Sequence, residues 1–387
     1  MKRLLLLTVL FFTFIFSCLG CTFSTKKTSE SDVTQTGVNV QKPKIQVAIL
    51  LDTSSSMDGL INQAKSRLWT IVNTLTTLKY QGKTPRIEIA LYEYGNNNID
   101  EKNDYIKQVT PLTTDLDLIS EMLFGLSTYG GYEYCGTVID RATKQLEWGS
   151  DDADMKLIYI AGNEPFTQGE LSYQQAIKNA LNKNIYINTI HCGNRNEGIQ
   201  GKWQEGATLG KGKFFNIDHN AALRHIDTPY DARIAECNLK LNDTYIGYGR
   251  IGESKKMNQV VQDANANELS EIVYAERVIS KSKSAYDNSS WDMVDQIKKD
   301  KQFIGKLEKK DLPKELQGKT TAEIQKIVEE KSVERTKIQK EITKLAEQRQ
   351  DFIDKKMKED DGADDLGNAI TSSVLSFAEA KGYKVSK

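Results

Sequence analysis

The sequence predicts a doubly wound α/β fold, with a mostly parallel sheet followed by an α-helical C-terminal region. Three features carry this expectation. Strand-like and helix-like segments alternate over residues 44–241, as in a parallel sheet covered by helices on both faces. The first strand-like run, 45–51, is apolar almost throughout, the pattern of a strand buried on both sides. Beyond about Gly252 apolar residues thin out and Lys, Glu, Gln and Asp dominate, which marks a charged helical region.

The elements follow in order. After the first strand, Leu60, Ile61, Ala64, Leu68, Ile71, Val72 and Leu75 recur at helical spacing. Arg86–Tyr94 is β-rich and alternating. A helix is expected over 115–126, with Asp115 as N-cap, and another over 137–146. A short apolar strand at 156–161, a helix at 173–182 and strands at 185–191 and 213–217 come next, then a helix at 230–241. Ligands of such sheets sit at the carboxyl ends of the strands, near the switch in strand order. In the tail, Ile324, Val328, Ile338, Ile342, Leu345 and Phe352 fall on one stripe, which Lys331, Arg335 and Arg349 interrupt. That favours a helical hairpin, or an arm packed on the first domain, over a long coiled coil.

Lys+Arg is 52 and Asp+Glu is 53, so the formal net charge is -1. This balance argues against a nucleic-acid binder, which needs a strongly basic face. At the N-terminus, Lys2 and Arg3 precede an apolar run, 4–16, broken only by Thr8 and Thr13. It is too short for a membrane span and reads as the core of a signal peptide. Ile15-Phe16-Ser17-Cys18 and Leu19-Gly20-Cys21 both resemble the bacterial lipobox. Cys18 is the favoured lipidation site, because Ile15 fills the apolar place; Cys21 is the alternative. The expected segments are a signal peptide at 1–17, a flexible tether at 18–43, the α/β domain at 44–249 and the charged helical region at 250–387. The expected location is the bacterial cell envelope, on the periplasm-facing side of the outer membrane. Contact with the membrane is through lipid only. Cys135, Cys192 and Cys237 form no C-x-x-C pair, which argues against redox catalysis and a zinc ribbon.

One motif carries chemistry. The first strand runs into Asp52-Thr53-Ser54-Ser55-Ser56. Asp52 offers negative charge, and the Ser54 and Ser56 hydroxyls offer neutral oxygens, a set that suits Mg²⁺, Ca²⁺ or Mn²⁺. The competing reading is a polar cap on the following helix.

Here the sequence resembles the von Willebrand factor type A domain and its metal-ion-dependent adhesion site, over residues 44–227. The resemblance implies metal ligation by Asp52, Ser54 and Ser56. It places the second metal loop at 130–137. Tyr132 stands there where a Thr is usual, so Glu133 is taken as ligand, with Thr137 second. The third loop, at 161–165, lacks the usual acidic residue, which leaves Asn163 or Glu164 to supply a ligand directly or through water. The blocks at 131–137, 161–169 and 188–193 resemble a little-characterised group of exported bacterial proteins with this domain.

The family implies a binding module whose ion is completed by a carboxylate from a partner protein, not an enzyme. No nucleophile elbow is present and the chain has only 3 His. The other reading is an envelope scaffold with a degenerate metal site, recruiting partners through its helical tail. Cys135 and Cys192 fall on one rim of the expected fold, compatible either with a disulfide or with two free, partly buried thiols. His191 is expected to be a hydrogen-bonded structural histidine and Cys237 a core residue. Trp203 and Phe166 are candidates for partner contact or for packing.

Overall fold

The computed structural model describes residues 43–217, 226–359 and 366–385. The expectations for Cys18, Cys21 and the tether lie outside these residues. The described residues form one compact unit.

The strands are β1 (Lys44–Asp52), β2 (Leu78–Tyr80), β3 (Arg86–Tyr94), β4 (Ile106–Thr113), β5 (Met155–Gly162), β6 (Ile185–Cys192), β7 (Lys211–Ile217) and β8 (Tyr383–Val385). The first helices are α1 (Leu60–Thr76), α2 (Leu116–Phe124), α3 (Cys135–Gln145), α4 (Tyr173–Leu181), α5 (Arg195–Gln200), α6 (Trp203–Leu209) and α7 (Asp231–Asn242). The tail adds α8 (Gly252–Leu269), α9 (Glu271–Lys281), α10 (Met293–Lys299), α11 (Phe303–Lys306), α12 (Thr321–Glu359) and α13 (Leu366–Ala380).

The main sheet runs β4-β3-β1-β5-β6-β7. All its neighbours are parallel except β3 and β4. The chain therefore leaves β1 toward one edge, returns, and builds toward the other, so the order switches at β1. The register aligns Asp52 with Tyr94 on one side and Leu51 with Ala161 on the other. The carboxyl ends of β1, β3 and β5 thus meet at one place.

Alternation along each strand feeds two cores. Ile45, Val47 and Leu51 of β1 pack with α1, α2, α7, α9, α12 and α13 on one face. Ala48 and Leu50 pack with α3, α4 and Trp203 of α6 on the other. Asp115 caps α2 by accepting from Leu118 N at 3.0 Å. β4 is an antiparallel edge strand that the sequence reading missed. It carries Pro111 and a weakly alternating pattern, both tolerated at an edge.

The change of composition near Gly252 does not divide the core. α9 and α13 lie against α1, and Val278, Ile342, Ile370 and Val374 share one cluster with Leu75 and Val72. β8 pairs with β2, which ties the C-terminal strand to residues 78–80. The tail stripe is one continuous helix, α12. Ile324 and Val328 join a third cluster with Met293, Val294 and Ile297, while Ile338 and Ile342 enter the main core. Two of the three residues that interrupt the stripe are buried ion-pair partners. Arg335 donates to Asp292 at 2.6 Å and to Asp295 at 2.9 Å, and Arg349 donates to Asp231 at 2.7 Å.

Candidate metal centre

Asp52 ends the central strand and is fully buried. Its Oδ1 accepts from Ser54 N at 2.8 Å, which bends the chain out of β1. Its Oδ2 is buried and has no hydrogen-bond partner. The Ser54 and Ser56 hydroxyls lie 2.9 Å apart, and Ser56 Oγ donates to Asn163 Oδ1 at 3.0 Å. Neither serine caps a helix: Ser54 makes no side-chain cap to the short turn at Ser55–Met57, and α1 begins behind Gly59. The capping alternative therefore fails: the Ser56 hydroxyl reaches the third loop, and the Ser54 hydroxyl lies against Ser56.

The second loop is stitched onto the first. Ser55 N donates to Gly130 O at 2.7 Å, Tyr129 N donates to Thr53 O at 2.9 Å, and Ser55 Oγ accepts from Gly130 N at 2.9 Å. This brings Glu133, also buried, beside Ser54 and Asp52. Thr137 is the third residue of α3 and makes no hydrogen bond to Asp52, Ser54 or Ser56 among the described residues. Glu164 turns its carbonyl to Trp203 Nε1 at 2.8 Å, so its backbone fixes the third loop.

The loop after β3, which the sequence reading did not use, completes the frame. Asn96 Nδ2 donates to Thr53 O and Ser127 O, and Asn97 Oδ1 accepts from Gly131 N. Gly95 has φ +79, and a Cβ there would lie 2.8 Å from Asp52 Oδ1. At Gly162 a Cβ would lie 3.0 Å from Asp52 Oδ2 and 2.5 Å from the Tyr94 hydroxyl. The carboxylate thus sits in a cradle that side chains at these glycines would fill. Runs of Gly and Asn after a strand look like any turn, so this role had no distinct signal in the sequence.

Burial raises the Asp52 carboxyl to about 7, and the Glu133 charge adds to that against the hydrogen bond from Ser54 N. Burial also raises Glu133, with the Glu164 charge adding. Two desolvated carboxyl groups and an orphaned oxygen are a donor set that a hard cation would stabilise. Among the described residues no three His, Cys, Asp or Glu side chains gather into one metal-binding group. The set here is two carboxylates with hydroxyl and amide oxygens, which fits Mg²⁺, Ca²⁺ or Mn²⁺ and not a soft metal.

No protein-family profile and no curated protein matches the chain. Solved structures similar to parts of it include the conserved hypothetical protein BatB of Bacteroides thetaiotaomicron. That protein shares 18% identity, over 45% of this chain and 90% of its own, with a TM-score of 0.34. The SpRpn10 VWA domain shares 18% identity over 46% of this chain and 90% of its own, with a TM-score of 0.36. Proximal thread matrix protein 1 from the mussel byssus, with a zinc-occupied MIDAS motif, shares 12% identity. That likeness covers 46% of this chain and 43% of its own, with a TM-score of 0.34.

The disulfide considered between Cys135 and Cys192 is not formed. Both thiols are free and buried, as is Cys237. Cys135 belongs to the apolar cluster on one face of the sheet and Cys192 to that on the other, so the sheet separates them. Burial pushes both thiols well above their usual range, which leaves them inert. His191 is a structural residue: its ring nitrogens contact Asn216 Oδ1 at 3.0 Å and Asn163 O at 3.2 Å. Phe166 and Trp203 are both buried and pack edge to face at 4.8 Å. They support the third loop and are not free to touch a partner. Beside the site lies an open cleft of about 950 Å³, lined among others by Ser56, Asn163, Glu164, His191 and Lys202.

Proposed function

We propose that this chain is a metal-dependent protein-binding module of the bacterial cell envelope and not an enzyme. Asp52, Ser54 and Ser56 hold a divalent cation, Mg²⁺, Ca²⁺ or Mn²⁺, with Glu133 beside them and Asn163 bonded to Ser56. Thr137 belongs to the reading only through the sequence resemblance. The ion supplies a hard Lewis-acidic position that a carboxylate of the partner protein completes. The observation that carries this reading is the buried, unpartnered Oδ2 of Asp52 in its glycine-lined cradle. An unpaired buried carboxylate oxygen is costly, and a cation is its natural complement.

The protein's own groups act by position. Ser54 N orients the Asp52 carboxylate, Ser56 links the first loop to the third, and Trp203 fixes the third loop from behind. No helix among the described residues is long and apolar enough to cross a membrane. Lipid on Cys18, or on Cys21, is proposed as the anchor. Isothermal titration with Mg²⁺, Mn²⁺ and Ca²⁺ tests the reading, with Asp52→Ala as control. Saturable binding that Asp52→Ala abolishes is expected. No binding at millimolar ion would leave the scaffold reading, in which the helical tail recruits the partner.

A further inference from the structure

The rim beside Glu133 carries a cluster of tyrosines. Tyr105 and Tyr132 stack with ring centroids 4.8 Å apart, and Tyr134 meets Tyr105 edge-on at 6.2 Å. Tyr132 remains 49% exposed and its neighbour Tyr129 56%. Tyr132 directly precedes Glu133, so the two Cα atoms are about 3.8 Å apart. One residue turns into the metal centre and the other out to solvent.

The backbone that presents this cluster is strained. Asp104 and Tyr105 are consecutive non-glycine residues with φ of 50° and 55°. Such conformations persist where the surroundings over-determine them. Here Arg141 donates to Asn103 O at 2.8 Å and grips the Asp104 carboxylate, while Gly95 N donates to Tyr105 O at 3.1 Å. The result is a Tyr105 ring set rigidly against Tyr132, with Tyr132 left half open.

The charges near the cluster have one dominant sign. Asp100 and Glu101 act on Tyr105, and Asp104, Glu101 and Glu170 act on Tyr134. Asp104 is matched by Arg141. Lys102 is the one cation on the turn from 100 to 105. A half-exposed aromatic face stacked on a ring that carboxylates flank attracts a cation through the ring quadrupole and those neighbouring carboxylates together.

We propose that this tyrosine ledge is a subsite for an arginine or lysine side chain of the partner protein, next to the partner carboxylate taken at the metal centre. The proposal rests on the metal-dependent binding reading. It adds that the partner segment is acidic at one position and basic close by. Exposed tyrosines suit this task because they give a large contact for little lost side-chain entropy.

The test is selection of a random linear peptide library, displayed on phage, on the full chain in Mg²⁺, on Tyr132→Ala and Tyr132→Phe, and on Asp52→Ala. Tyr132 is exposed, so its replacement does not threaten folding. Wild type and Tyr132→Phe are expected to enrich peptides with a carboxylate and an Arg or Lys within a few residues. Tyr132→Ala is expected to keep the carboxylate and lose the basic residue. Replacing that basic residue by Ala in a selected peptide should weaken binding to wild type by about three- to thirtyfold. The same change should scarcely alter binding to Tyr132→Ala. Acidic peptides without a basic preference, or the same preference on Tyr132→Ala, overturn the ledge and leave the metal reading standing. Peptides that bind Asp52→Ala and ignore a chelator overturn the metal reading and the ledge with it. A selection that enriches nothing overturns the ledge as well.

Discussion

The Arg335 guanidinium donates to the Asp292 carboxylate at 2.6 Å with neither side chain exposed, and it lies 3.9 Å over the Tyr245 ring. Thr244 contributes its hydroxyl and carbonyl to the same guanidinium. This pair fastens the middle of α12 to α10 and to the segment after α7. Arg335→Ala removes the cation and leaves Asp292 buried without its partner. The expected loss is about 3–5 kcal/mol of stability, read by urea unfolding. Arg335→Met combined with Asp292→Asn removes both charges and should recover a large part of that loss.

A fragment ending at residue 249 is expected to lose cooperative melting or to be insoluble. It keeps the whole main sheet but strips α9, α12 and α13 from one face. Ile71, Val72 and Leu75 would then stand open where Val278, Ile370 and Val374 now pack. It also loses the bond from Asn73 to Glu276 O and the β2–β8 pairing. Thermal melts of the fragment and the full chain decide it. A fragment that melts as one sharp transition would show that these helices are an accessory layer.

The sheet was legible in the sequence because buried parallel strands are short apolar runs, and residues 45–51 are such a run. The position of Asp52, Ser54 and Ser56 at the carboxyl end of β1 was legible because the motif follows that apolar run directly. Arg335 and Arg349 were misread as interruptions. A one-dimensional stripe cannot show that Asp292, Asp295 and Asp231 arrive from other helices to meet them. Cys135 and Cys192 misled for a related reason: position along the rim was readable, but which face of the sheet each thiol joins was not. The Gly95–Asn97 loop carries no chemistry of its own, and its part in holding Thr53 and Gly131 appears only in three dimensions.

Acid should loosen the tail through Asp263. Burial alone would raise this carboxyl, but Lys281 and Arg277, each at 2.7 Å, outweigh it and hold the group well below the usual carboxylate range. The folded state therefore binds this proton more weakly than the unfolded chain does. The stabilisation is full above the unfolded value, about 3.9, and is lost as pH falls from there through the lower folded value. Asp263→Asn is expected to melt lower than wild type at neutral pH and to show a flatter decline of melting temperature below about pH 4. Parallel pH profiles that differ only by a constant offset would exclude this linkage.

Asp52 is where binding and stability should pull in opposite directions. Its carboxylate is buried, its Oδ2 has no hydrogen-bond partner, and the Glu133 charge stands nearby. Asp52→Asn keeps the oxygen that accepts from Ser54 N and removes the buried charge. The metal-free variant is therefore expected to be more stable than wild type by roughly 1–3 kcal/mol. Divalent ion should reverse the ranking. A ligand that binds only the folded state adds about 2.7 kcal/mol at a hundred times its dissociation constant. Wild type should gain that increment, while Asp52→Asn should gain almost nothing. Glu133→Gln should keep part of the gain, since it removes one charge but leaves Asp52 and both serines. The measurement is a set of thermal melts at neutral pH, in chelator and in rising Mg²⁺ or Ca²⁺. If Asp52→Asn destabilises the metal-free protein and both proteins respond equally to ion, Asp52 is a structural residue of the loop and the cation site lies elsewhere.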